Sequence, residues 1–365
     1  MKLEIKTEKL KQALSKAIKG AGRNVAFPKT TIVGIECNNN LISFTTTDRT
    51  NILNVVEDVI NQTPEQLNEY WAVNCELLGK LVSKITTENI IIESTAEELI
   101  LKGNGTYSIP LILDSNAQPL RIDTSVFSSI NFETGTCVNT TSKQLQNIAL
   151  YNKPSVLKTN ELPHLTGYYI DEDGVITFNG VTACINKQST LNTKVLLPST
   201  LVELFSTLSS EAVTIYIVGN TIKIKTDNIT IYSSTMEGIE KFPGGALKNI
   251  VSETFPAECT IDKDVLSKAL DRISLFIGPM DDNAIQVEFT DKLIISSKNK
   301  KNSELIEFNS HKNSMDFVKC VDIQDLKNQL QTRTSTEITI AYGSEKSLMI
   351  KDDGIYQLIP FTIDD

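Results

Sequence analysis

The chain has 365 residues, 40% hydrophobic and 22% charged, with a formal charge of −10 and an isoelectric point near 5.0. That length exceeds the roughly 250–300 residues at which single cores stop growing, so two or three domains are expected. The acidic balance excludes a protein that grips nucleic acid over its whole surface, while leaving room for a locally basic face. The first twenty residues carry six lysines among apolar positions, unlike a secretory signal. No segment approaches the roughly 18 consecutive apolar residues of a membrane span, so a cytoplasmic protein with no membrane partner is expected.

The chain opens on a strand, Leu3-Glu4-Ile5-Lys6-Thr7, that feeds a helix marked by Leu10 and Leu14. This helix carries Lys9, Lys11, Lys16 and Lys19 against Glu8, with Arg23 just beyond. Alternating strands follow at Thr31-Ile32-Val33-Gly34-Ile35 and Leu41-Ile42-Ser43-Phe44, separated by the polar hairpin signal Asn38-Asn39-Asn40. Asn74, a good N-cap, precedes Leu77, Leu78, Leu81 and Val82 at helical spacing, with Lys80 and Lys84 offsetting Glu76. Gly103-Asn104-Gly105 lies between strands and lacks the lysine and helix of a phosphate loop, so it reads as a hairpin turn.

The same order then recurs. Cys137-Val138-Asn139-Thr140 leads into a helix with Lys143, Leu145 and Ile148; Pro198 precedes Leu201, Val202 and Phe205; and Thr214-Ile215-Tyr216-Ile217 and Thr221-Ile222-Lys223-Ile224 flank Gly219-Asn220. It recurs once more. Cys259-Thr260-Ile261-Asp262 leads to Leu266 and Leu270, where Lys268 and Arg272 are partly cancelled by Asp262, Asp264 and Asp271; Leu293-Ile294-Ile295 is a strand; and Asp322 precedes Leu326 and Leu330. The helix starters Asn74, Pro198 and Asp322 are spaced at equal intervals of 124 residues, and Ile5, Leu10 and Leu14 match Ile261, Leu266 and Leu270 at a constant offset of 256. The expected architecture is α+β: three copies of a unit with two helices and about eight mainly antiparallel strands. The copies are expected at residues 1–127, 128–254 and 255–365, abutting through continuous sheets.

Catalytic chemistry is not announced. There are two histidines, His164 and His311, and no HExxH, GxSxG or Walker pattern. The six cysteines are too far apart for a CxxC pair and read as structural thiols. The acidic pairs Asp281-Asp282, Asp352-Asp353 and Asp364-Asp365 read as solvated charge rather than a magnesium site. No catalytic residue, metal or cofactor is expected.

The repeat, the length and several local stretches together resemble the bacterial sliding clamp, the beta subunit of DNA polymerase III, over the whole chain. The stretches are the Met1-Lys2-Leu3-Glu4-Ile5 start, Arg23 ahead of Phe27-Pro28, Thr46-Thr47-Asp48 after a strand, Phe242-Pro243 after Gly238, and the end Tyr356-Gln357-Leu358-Ile359-Pro360-Phe361. The resemblance implies a homodimer of three-domain chains closing head to tail as a six-domain ring. Sequence-independent duplex DNA would pass through it, with helices toward the hole. It implies a processivity factor that tethers the replicative polymerase, with polymerase and clamp loader docking through short apolar peptides.

By position, the resemblance places the peptide pocket at Leu165, Gly180, Val181, Thr182, Phe242, Pro243, Leu358, Ile359, Pro360 and Phe361, and the dimer contacts at Tyr107, Ile109, Leu275 and Phe276. For both sets the alternative is ordinary core packing. The DNA-facing cations would be Lys9, Lys11, Lys16, Lys19, Arg23, Lys80, Lys84, Lys143, Lys268 and Arg272, whose alternative is a solvated helix face. One stretch departs from the family. Where clamps read Thr-Asp-Gly-x-Arg-Leu, this chain reads Phe178-Asn179-Gly180-Val181-Thr182-Ala183, without the acid or the arginine, which marks a divergent member with an altered pocket. Two other readings stand beside this one: a clamp-like scaffold or competitor that binds replication proteins without encircling DNA, and an enzyme built on a repeated sheet.

Overall fold

The computed structural model describes every residue except 1, 39, 63–68, 190, 254, 279–282 and 363–365. The acidic pairs Asp281-Asp282 and Asp364-Asp365 therefore lie outside the described residues. One element order is used three times. The first copy runs β1 (Lys2–Lys6), α1 (Thr7–Ala17), β2 (Ile32–Asn38), β3 (Leu41–Thr47), β4 (Ile52–Asp58), β5 (Asn61–Gln62), β6 (Tyr70–Asn74), α2 (Cys75–Lys84), β7 (Asn89–Ser94), β8 (Glu98–Lys102) and β9 (Thr106–Pro110).

After a short helix, α3 (Ser125–Ser128), the second copy runs β10 (Thr136–Thr140), α4 (Ser142–Asn152), β11 (Gly167–Asp171), β12 (Gly174–Phe178), β13 (Ala183–Asn186), β14 (Val195–Pro198), α5 (Ser199–Glu203), β15 (Val213–Val218), β16 (Thr221–Lys225) and β17 (Ile229–Ser234). After α6 (Gly244–Ser252), the third runs β18 (Ala257–Asp262), α7 (Lys263–Ser274), β19 (Ala284–Phe289), β20 (Leu293–Ser297), β21 (Ser303–Ile306), β22 (Ser310–Lys312), β23 (Phe317–Asp322), α8 (Ile323–Gln331), β24 (Glu337–Tyr342), β25 (Ser347–Asp352) and β26 (Ile355–Pro360).

The starters spaced at 124 residues sit at equivalent places. Asn74 caps α2 by accepting from the Leu77 amide at 2.8 Å, and Asp322 caps α8 by accepting from the amides of Gln324 and Asp325. Such caps stabilise a helix by about 1 kcal/mol each. Pro198 ends β14 immediately before α5, which continues as a 3-10 turn over Leu204–Thr207. The apolar spacing buries one face of each long helix: Leu10, Ala13, Leu14 and Ala17 on α1, and Leu266, Ala269, Leu270 and Ile273 on α7.

The chain packs as two compact units, Met1–Lys143 with Glu203–Thr235, and Gln144–Val202 with Met236–Asp365. The second copy thus contributes strands to both. The first unit holds a five-stranded sheet of order β5-β1-β7-β8-β9 and an eight-stranded sheet of order β10-β15-β16-β17-β4-β3-β2-β6. The second unit holds a nine-stranded sheet of order β14-β11-β12-β13-β26-β25-β24-β18-β22 and a four-stranded sheet of order β21-β20-β19-β23. All named strand pairings are antiparallel.

The two long sheets are continuous because the last strand of one copy pairs with the fourth strand of the copy before it. β17 pairs with β4 through Ile229↔Val55 and Tyr232↔Ile52. β26 pairs with β13 through Ala183↔Leu358 and Asn186↔Ile355. The remaining last strand, β9, and the remaining fourth strand, β21, each end a sheet. Among the described residues no helix is long and apolar enough to cross a membrane.

Candidate functional site: an apolar cluster in the second unit

The nine-stranded sheet carries an apolar cluster of Leu165, Tyr169, Ile176, Ala183, Ile185, Leu196, Phe242, Leu247, Phe255, Ala341, Met349 and Leu358, padded by the partly buried Leu157, Phe178, Met236, Ile239 and Ile250. Three local devices assemble it. The first is the 3-10 turn Pro163–Leu165, which tucks Leu165 inward and leaves Leu162 48% exposed. His164, half-buried on that turn, sits beside Gly238.

The second device is the segment from Met236 to Phe255. The Met236 amide donates to Leu196 O at 2.9 Å, Gly238 turns the chain at φ 83°, and Phe242 stacks on Tyr169 with centroids 5.0 Å apart and planes 10° from parallel. α6 then lays Leu247 onto the sheet, and Lys248 binds Asp171 at 2.5 Å and Asp173 at 2.6 Å. The hydrogen bond and charge from Lys248 hold the Asp173 carboxyl below the usual carboxylate range. This helix escaped the sequence reading, although Leu247, Ile250 and Val251 show i, i+3, i+4 spacing just after Pro243.

The third device is the β12–β13 turn, where the sequence departs from the family pattern. Asn179 Oδ1 accepts from the amides of Val181 and Thr182 at 2.9 and 2.8 Å, which is what an aspartate would do in its place. Its Nδ2 adds bonds to Pro154 O at 3.3 Å and Thr182 Oγ1 at 3.1 Å, which a carboxylate could not donate. Gly180 takes φ +96°, a left-handed value that favours glycine. The first copy closes its β3–β4 turn in the same way. Asp48 Oδ1 accepts from Thr50 and Asn51, and Arg49 stands at φ 88° with its guanidinium over the Phe27 ring.

The expected pocket residues are therefore brought together in part. Leu165, Phe242 and Leu358 share the cluster; Pro243 and Pro360 are half-buried at its edge; Gly180 and the 54%-exposed Val181 stand open beside it. Thr182 is fully buried and turned to Ser155 Oγ at 3.2 Å, so it presents no polar group outward. Ile359 and Phe361 correct the expectation that residues 358–361 line one groove. Strand alternation points both to the opposite face, into the core of the third copy, where Phe361 lies 5.6 Å from Phe317.

Beneath the seam of β13 and β26 lies a buried polar network that sequence reasoning did not find. Arg333 donates from Nε to Gln357 Oε1 at 2.8 Å and from Nη2 to Ile350 O and Ile355 O, while Gln357 Nε2 donates to Tyr151 O and Thr332 Oγ1. Burial pulls the guanidinium pKa below its ordinary value.

Of the expected dimer residues, Tyr107 and Ile109 lie on β9, which ends its sheet, and Leu275 and Phe276 follow α7. Tyr107 is half-buried on β9, and Ile109 is a core side chain at 2% exposure, because both point to the inner face of that strand. The exposed side chains of β9 are instead Thr106, Ser108 and Pro110. Leu275 and Phe276, 79% and 55% exposed, follow α7 and stand by β21, to which Arg272 is tied through Glu304 at 2.6 and 2.9 Å.

Of the expected DNA-facing cations, Arg272 is thus engaged, Lys9 reaches Asp58 at 3.1 Å, Lys11 reaches Glu8 at 3.4 Å and Lys80 reaches Glu76 at 2.5 Å. Lys16 and Lys19 donate to the hydroxyls of Ser209 and Ser206. Arg23, Lys84, Lys143 and Lys268 are exposed. Asp352 accepts from Ser335, and Asp353 from Gln188. Among the described residues no cluster of three or more His, Cys, Asp or Glu could hold a metal ion.

No family model and no curated protein sequence matches the chain. Solved structures do. The DNA polymerase sliding clamp of Bacillus subtilis superposes with a TM-score of 0.80 at 17% identity, covering 100% of both chains. DNA polymerase III subunit beta of Borrelia burgdorferi gives 0.85 at 16% identity over 100% of this chain and 99% of that one. This chain has the sliding-clamp fold. A putative DNA polymerase III beta subunit of Eubacterium rectale gives 0.78 at 20% identity over 99% of each chain, so the clamp fold spans the chain from end to end while its sequence has diverged widely.

Proposed function

We propose that the chain is a DNA sliding clamp, a homodimeric ring around duplex DNA that tethers a polymerase as its processivity factor, in the cytoplasm and without catalysis of its own. The observation that carries this reading is the pair of unmatched edges. Twice the last strand of one copy joins the fourth strand of the copy before it, and the strands left over, β9 and β21, are of those same two kinds. Repeating the pairing between two molecules closes a cycle of six domains with two identical seams and satisfies all four edges. The domains of each chain are residues 1–127, 128–254 and 255–365.

The charge pattern supports a channel. On α1 and its extension Lys9, Lys11, Lys16 and Lys19 outnumber Glu8, and Lys80 and Lys84 outnumber Glu76 on α2, within a chain of charge −10. A linked ring needs only weak phosphate attraction, which favours scattered, partly neutralised cations over a gripping surface. The apolar surface that exposed Leu162 and Val181 offer over the cluster of Tyr169, Phe242 and Leu358 suits the short apolar peptide of a polymerase or clamp loader. With Thr182 buried, this surface selects its peptide by apolar fit.

A scaffold or competitor that binds the same peptides without encircling DNA would share the apolar surface but not the seam. Light scattering separates the two. A dimer supports the ring, whereas a monomer at micromolar concentration that still binds the peptide supports the scaffold.

A further inference from the structure

Resting on the dimer reading above, we infer that each seam of the ring is keyed by charge, with Lys298, Lys300 and Lys301 of one copy facing Glu97 and Glu98 of the partner. The polarity follows from the strand directions. In both seams within the chain the fourth strand starts where the last strand ends, as Ala183↔Leu358 and Ile52↔Tyr232 show. In each case the first residue of the fourth strand pairs two residues before the end of the last strand, so applied to β21 and a partner's β9 the same rule sets Ser303 opposite Ser108 and Lys301 level with Pro110. Pro110 already pairs with Glu98 on β8, and the Leu111 amide donates to Glu97 O at 2.8 Å.

The β20–β21 turn of one copy and the β7–β8 turn of the other therefore project from the same end of the combined sheet. Lys301 and Glu98 would be two strand spacings apart, about 10 Å between backbones. Their extended side chains span that gap, which is about one Debye length at 0.1 M salt and somewhat more than one at physiological salt. Lys298, Lys300, Lys301 and Glu97 are all exposed, and Glu98 is half-buried.

The comparison with the internal seams makes the charge pattern specific to the open one. The turns brought together where β4 meets β17 are residues 48–51 and Gly219-Asn220; those where β13 meets β26 are residues 179–182 and 343–346. Neither juxtaposes a run of one sign with a run of the other. The intermolecular seam alone has to be found by diffusion and reopened for loading, and opposed charge assists encounter while leaving the bond sensitive to salt.

The test is a charge swap on the full chain, read by sedimentation at 50 and 500 mM salt. The triple variant K298E/K300E/K301E and the double variant E97K/E98K should each raise the dimer dissociation constant at least about tenfold at low salt, with a smaller change at high salt. Mixing the two variants should restore a dimer of near wild-type affinity, because both seams of the mixed pair are complementary. Wild-type dimers whose affinity neither variant changes, or variants weakened without rescue on mixing, would overturn the charge key and leave the dimer reading intact. A wild-type chain that stays monomeric would instead overturn the dimer reading itself.

Discussion

Phe242 lies flat on Tyr169, centroids 5.0 Å apart, so the connection between the second and third copies is fastened to the nine-stranded sheet. Both rings are buried in one cluster with Leu165 and Leu358. Phe242→Ala should therefore cost about 3–5 kcal/mol of stability and abolish peptide binding with it, measured by denaturant unfolding and fluorescence anisotropy. Val181→Asp, at an exposed position, should leave the unfolding midpoint within error and still weaken binding of an apolar clamp-binding peptide. Unchanged binding in Val181→Asp would place the peptide elsewhere.

The β12–β13 turn gives a second prediction. Asn179→Asp keeps the acceptor for the Val181 and Thr182 amides, so the turn should survive, with a loss of about 1–3 kcal/mol from the two Nδ2 bonds. Gly180→Ala meets no neighbour but must hold φ +96°, and should cost about 1 kcal/mol through backbone strain. Thermal unfolding of the two variants side by side checks the ranking.

Arg333 and Gln357 make a third. Removing the guanidinium in Arg333→Ala strands the buried Gln357 Oε1 and the carbonyls of Ile350 and Ile355. The expected loss is about 3 kcal/mol in urea unfolding, with faster amide exchange along β26 than elsewhere in the same sheet.

Thiol chemistry offers a fourth. Burial pushes Cys37 up to about 11 and Cys75, Cys184 and Cys259 up to about 12, so at pH 7 these groups are protonated as well as shielded. Cys137 is exposed. It should react first with a disulfide reagent, while the four buried thiols react only on unfolding; Cys137→Ser should remove the fast phase.

Much of the fold was legible because it is written three times. Asn74 and Asp322 cap helices where the 124-residue spacing put them, and the Leu10/Leu14 and Leu266/Leu270 pairs bury the faces that their periodicity predicted. The site was less legible, for reasons of geometry. Ile359 and Phe361 fell on the wrong side of a strand because position along the chain does not fix which face a residue takes, and Ile109 turned into its own core for the same reason. α6 was hidden by its Pro243-Gly244-Gly245 entry, which reads as a turn. The Arg333 network joins residues between 17 and 206 positions apart, and no local pattern announces such contacts.

The unmatched edges β9 and β21 carry the central claim, and topology tests it most directly. The chain would be loaded by its cognate clamp loader onto a nicked circular duplex, the circle cut or left closed, and the retained protein measured after gel filtration at physiological salt. The ring predicts retention on closed circles and rapid loss on linearisation, with Tyr107→Glu/Phe276→Glu giving monomers of 40.4 kDa that are not retained. Equal retention on circles and linear DNA, or a double variant that remains a dimer, would contradict the ring and its proposed seam.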